Sequence, residues 1–194
     1  MSLQIYFKMG SNVSYSAKER GENLSEPLIL TLQLDAESSL FFNKQRRLYF
    51  PKERNFLEAH LTLFHHLPPQ HREEIEQEIT ALCQKQESIL LQVAEVRLIG
   101  RGVAYKLESE VLQRLHRHLQ LKWQPWLTPQ DRQKLWPHVT VQNKVTPAQA
   151  KELHQHLSAT FAPFTATGVG LQLWAYQGGP WQWLGSYPFQ QSDL

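Results

Sequence analysis

Cysteine occurs once in the 194 residues, at Cys83, so no intrachain disulfide can form and nothing in the chain argues for an oxidising compartment. Cys83 falls at helical spacing with Ile75, Ile79 and Leu82, which reads as a buried structural thiol rather than a reactive one. No apolar run approaches the roughly 18 residues that a membrane span needs, and Met1–Gly10 lacks the apolar stretch and small-residue cleavage site of a secretory signal. An excess of one charge is missing too. Twenty basic against eighteen acidic side chains leave a formal net charge of +2, so any anion site must be local. Glycine-rich phosphate loops, nucleophilic serine motifs and paired carboxylates are absent. What remains, with 41% hydrophobic and 20% charged residues, is the composition of a folded globular protein, expected in the cytoplasm as a monomer.

Residues 1–26 include a polar stretch without periodicity, closed by Pro27, and read as a leader or surface arm; residues 190–194 read as a tail. Between them the pattern predicts a strand over 28–34, a helix from the cap Asp35 to Tyr49, and a strand over 60–67. A helix over about 70–86, strands over about 89–99 and 103–108, and a helix over 109–121 follow. After a loop rich in tryptophan and proline come a strand over 138–145, a helix from Pro147 to about Thr160, and a hairpin at Gly178-Gly179-Pro180.

An ungapped shift of 78 residues superposes the two halves. It carries Pro51 to Pro129, Leu57 to Leu135, His60 to His138, Thr62 to Thr140, Pro69 to Pro147, Ile79 to Leu157 and Gly100 to Gly178. These are strand, turn and helix-face positions in the same order. They predict one domain over 27–189 made of two similar α/β lobes, approximately 27–100 and 101–189, related by an approximate twofold axis.

Residues two apart on a strand share a face, so His60 stands beside Thr62 and His138 beside Thr140. The opposite faces carry Leu61, Leu63 and Leu67, and Val139, Val141 and Val145, with His65 and Asn143 as polar exceptions. A His-x-Thr triplet is weak alone, because a shuffled chain with nine histidines and nine threonines would contain about 0.4 of them. Its context is the signal: both copies lie in apolar strands, and a helix-opening proline follows each histidine nine residues on. Two imidazoles across a cleft suit general acid–base chemistry, since an ordinary pKa of about 6.5 lets one be neutral while the other is protonated. Threonine hydroxyls can donate to phosphoryl oxygens. Several histidines leave a metal site as the chemical rival, but no His-Glu-x-x-His or cysteine pair accompanies them, and no metal or other cofactor is expected.

The motifs His60-Leu-Thr-Leu63 and His138-Val-Thr-Val141 resemble the signature of the 2H phosphoesterase superfamily, the LigT-like or 2'-5' RNA ligase family. The likeness spans about residues 27–189 and includes Trp136-Pro137-His138 and the closing Leu173–Trp181 hairpin. It implies an α+β bilobal fold, two antiparallel-rich sheets lining a central cleft with helices outside. It also implies metal-independent attack on 2',3'-cyclic or related phosphodiesters, with His60, Thr62, His138 and Thr140 as the catalytic set. By that likeness His138 activates water and His60 protonates the leaving ribose oxygen. The partner implied is an RNA end or small nucleotide bearing a cyclic phosphate, with no membrane involved. Reversible 2'-5' RNA joining and a binding module whose chemistry has faded are the alternatives.

Candidate substrate contacts follow from strand parity. Phe64 and His66 continue the face of His60, while Gln142 and Lys144 continue the face of His138. Lys144 would replace the arginine that many relatives carry after the second motif. Trp136, two residues before His138, would line the cleft mouth, whereas Trp174 and Trp181 read as strand-packing residues.

Overall fold

The computed structural model describes residues 26–190, so the polar arm and the C-terminal tail lie outside the described residues apart from Glu26 and Gln190. Alternating leucines make β1 (Leu28–Leu34), and Asp35 ends it by accepting the Ser38 N–H at 2.7 Å, which opens α1 (Ala36–Tyr49). Pro51 halts that helix one residue beyond its cap. Then come β2 (Leu61–Leu67), α2 (Arg72–Cys83), β3 (Ile89–Leu98) and β4 (Val103–Glu108). Ser109 caps α3 (Glu110–Trp123), and β5 (His138–Gln142) follows the tryptophan loop. A capping box between Thr146 and Gln149, with Pro147 in the first turn, starts α4 (Pro147–Ala159). The chain closes with β6 (Phe164–Tyr176) and β7 (Trp181–Pro188).

All seven strands form one antiparallel sheet in the order β2-β1-β6-β3-β4-β5, with β7 added on β6. The fold is α+β with helices around the sheet, as the family likeness implied. Exchanging β1 with β4, β2 with β5 and β3 with β6 reverses this order into itself, which is the repeat made visible. Two details differ from the expected lobes. The sheet is continuous, and the halves trade strands: β6, from the second half of the chain, pairs with β1 along Gly168–Ala175 and with β3 along Phe164–Gly168. A thirteen-residue strand is long enough to serve both halves. A boundary near residue 100 therefore divides the chain but not the sheet.

The strands β2 and β5, at opposite ends of the order, nonetheless touch, so the sheet bends back and brings its two ends together. One apolar core runs through both halves, from Leu30, Leu61 and Phe64 to Tyr105, Val139 and Val141. Cys83 lies in it, its thiol pushed up to about 12 by burial, which leaves no thiolate for chemistry. Among the described residues no helix is long and apolar enough to cross a membrane.

Matching irregularities interrupt β2 and β5. Thr62 pairs with Thr31 but Phe64 pairs with Leu30, so Leu63 is an extra residue; likewise Thr140 pairs with Ala104 but Gln142 pairs with Val103, leaving Val141 extra. These two bulges sit 78 residues apart and turn the residue after each inward, and β2 alone has a second register shift, between the Leu30–Phe64 and Leu28–Leu67 pairs.

Candidate active site

His60 immediately precedes β2 and His138 begins β5, and the two are wired alike. The Nδ1 of His60 lies 2.8 Å from the Glu58 carbonyl, and that of His138 lies 2.8 Å from the Trp136 carbonyl. A carbonyl can only accept, so each Nδ1 carries the hydrogen and donates it. In the neutral ring, Nε2 is then left with its lone pair free for proton transfer. Each imidazole also lies against an indole, His60 on Trp181 with centroids 4.6 Å apart and His138 on Trp136 at 4.3 Å.

Neighbouring helices fix the approach to these strands. The Asn43 side chain of α1 accepts the Ala59 N–H at 2.7 Å, one residue before His60. Arg46, one turn further along α1, is buried and donates to Asn55 Oδ1 at 2.8 Å, the Leu57 carbonyl at 3.0 Å and the Thr140 carbonyl at 2.9 Å. One guanidinium thus joins the loop before the first motif to the backbone of the second.

Burial lowers the proton affinity of both histidines. For His60 desolvation is the largest cause and the charges of Arg46, His138 and His65 add to it, outweighing the bond to Glu58 and bringing the pKa to about 4. His138 is also lowered, by desolvation first and the charge of His65 second. The two threonines share the histidines' side of the sheet. Thr62 stands opposite Thr31 on β1, whose hydroxyl accepts the Trp174 indole N–H at 3.0 Å, and Thr140 stands opposite Ala104.

Several expected contacts are corrected. The Leu63 bulge turns Phe64 into the core, where it is fully buried, stacked on His116 at 4.5 Å and edge-on to Trp123 at 5.1 Å. The Val141 bulge does the same to Gln142, which is buried opposite Val103. β5 ends at Gln142, so strand parity does not reach Lys144, which occupies an exposed turn at φ +59°. His66 is exposed and lies with His65 in the second register shift of β2, between the buried Phe64 and Leu67. His65, assigned by parity to the far face, is instead the histidine whose charge acts on both His60 and His138. Trp136 is exposed and stacks on His138.

Trp174 and Trp181 do more than pack strands. With Thr31, Phe56, His60 and Gln172 they line a cavity of about 450 Å³ that opens beside His60. The matching region of the second half is charged. Lys106, opposite His138, is held by Glu108 at 2.7 Å and Glu95 at 3.1 Å. The repeat gives two similar imidazoles, each on an indole, while the wider surroundings add an aromatic cavity beside His60 and an ionic cluster beside His138. Among the described residues no three His, Cys, Asp or Glu side chains converge as metal ligands do.

The same fold is present in solved structures. The Thermus thermophilus protein TT0787 superposes with a TM-score of 0.62 at 14% identity, over 86% of this chain and 100% of that one. A structure titled only as a phosphoesterase gives 0.56 at 17% identity over 86% and 99%. LigT of E. coli, complexed with 3'-AMP, gives 0.55 at 16% identity over 86% and 99%. This is the fold of the LigT-like 2H phosphoesterases. No curated protein matches the sequence. The chain belongs to the 2'-5' RNA ligase superfamily, whose family model matches residues 34–180.

Proposed function

We propose that this protein is a phosphodiesterase that opens 2',3'-cyclic phosphates, or related cyclic phosphodiesters, of RNA ends or nucleotides. The observation that carries the reading is the identical wiring of His60 and His138, each with Nδ1 on a carbonyl two residues upstream. In the reaction a water oxygen bonds to phosphorus as the bond to one ribose oxygen breaks. The neutral imidazole takes the water proton, and the protonated one gives its proton to the departing oxygen. Thr62 and Thr140 donate to the nonbridging oxygens, where negative charge grows.

Desolvation lowers the proton affinity of both imidazoles, that of His60 to about 4, and the family likeness gives His138 the role of base and His60 that of acid. Trp174, Trp181 and Phe56 beside His60 suit a nucleobase. The complex of E. coli LigT with 3'-AMP is consistent with a nucleotide ligand for this fold.

The test is product formation from nucleoside 2',3'-cyclic phosphates in the presence of a chelator. His60→Ala or His138→Ala is expected to lower turnover by about 10² or more. Near wild-type turnover in either variant would remove the acid–base pair, and a rate lost to the chelator and restored by metal would replace the mechanism.

A further inference from the structure

Because the Leu63 bulge turns Phe64 into the core, the next residue, His65, faces the other way, on the side of Thr62, and a buried carboxylate holds it there. Asp131, in the loop between α3 and β5, has its side chain almost wholly removed from solvent. Its Oδ1 accepts the His65 N–H at 2.8 Å, its Oδ2 accepts the His66 N–H at 2.9 Å, and the His65 ring Nδ1 lies 3.3 Å from Oδ1. Thr128 completes the set, its hydroxyl donating to Oδ2 at 3.4 Å. Burial alone would favour the protonated acid, yet the hydrogen bonds from His65 and His66 outweigh it and lower the carboxyl's pKa. The backbone bonds explain why a carboxylate sits at this edge: two successive N–H groups need two acceptor oxygens. They do not explain the ring contact, which turns Nδ1 inward and leaves Nε2 for the exposed side of a ring that is 45% accessible.

The neighbouring cations are otherwise engaged. Arg46 is buried on three oxygens, and Lys106 is held between two carboxylates. The repeat offers no second copy of the device either. Shifting His65 by 78 gives Asn143, whose side chain accepts the N–H of Lys144.

We infer that His65, oriented by Asp131, is a third imidazole of the site that, as the imidazolium with a hydrogen on each nitrogen, donates from Nε2 to an oxygen of the phosphoryl group lying between His60 and His138. Asp131 is then a positioning residue: it fixes the ring through Nδ1 and does not itself meet the anion. The inference rests on the two-histidine reading above and adds a contact that the repeat does not supply.

The experiment is a titration of the full chain, its histidines labelled with 15N, with inorganic phosphate at pH 6, the imidazole resonances being assigned by single His→Gln variants. Movement of His65 together with His60 and His138 is expected. Movement of His60 and His138 with His65 unmoved would overturn this inference and leave the two-histidine reading intact, whereas no movement of any of the three would overturn both. His65→Gln is expected to weaken phosphate binding about tenfold, a difference of about 1.4 kcal/mol. Asp131→Asn should weaken it similarly, and the double variant should be no weaker than either single one. Independent, additive losses would refute the positioning role of Asp131.

Discussion

At the scale of single residues, His60 and His138 have one chemistry and two environments. Both are depleted of protons by burial, His60 to about 4 and His138 to below its ordinary value near 6.5. Because kcat/KM reports groups of the free enzyme, its pH profile should peak between about 4 and 6.5 and fall on the alkaline side as the last imidazolium is lost. The profile of kcat should lie higher, since a bound phosphodiester anion favours the charged rings. A kcat/KM that holds level through pH 8 would contradict this account. The histidines and threonines themselves were legible because spacing, alternation and a repeat all converged on them. Arg46 was not, since a lone arginine on an amphipathic helix gives no sign that it faces inward.

At the scale of elements, the bulges mark where sequence reading stops. Alternation placed Phe64, His66 and Gln142 toward the cleft, and it would have been right on unbroken strands. One extra residue in each strand sends Phe64 and Gln142 inward, and nothing local in Leu-Thr-Leu-Phe or Val-Thr-Val-Gln announces it. The bulges depend on distant partners: α3 lays His116 on Phe64 and bonds the Leu63 carbonyl at 3.0 Å, while Gly102 permits the approach of the Gln142 carbonyl. The helix α1 has the corresponding task for β5. Arg46→Lys keeps the charge and loses the planar fork that reaches three oxygens, and should cost about 2 kcal/mol in denaturant unfolding. Turnover should fall with it, because the same fork links both motifs. Unchanged stability would show that water replaces those bonds.

For the whole molecule, the repeat predicted the symmetry but not the exchange of strands, since a sequence shift says which elements correspond and not which of them pair. The buried histidines also make stability a property of pH. Unfolded, His116 takes a proton near 6.5; folded, with its ring desolvated against Phe64, it does so only at about 4. Between these values the unfolded chain binds more protons, so the contribution is complete above about 6.5 and declines as pH falls toward 4, by about 3 kcal/mol for this group. Desolvation of the half-buried His60 and His138 acts in the same direction. Thermal unfolding should therefore show Tm dropping from pH 7.5 to pH 4.5, and a Tm unchanged over that interval would refute the buried-neutral account.

The long strand β6 has a consequence for biogenesis. Leu28, near the start of the described chain, finds its partner at Ala175, and Ile89 finds its own at Gly168. A ribosome releases β1, β2, β3 and β4 well before the strand that joins them. Early segments must then wait with open edges until Phe164–Tyr176 has emerged, which makes assembly late and abrupt and leaves those edges as the places where a chaperone would have most to protect.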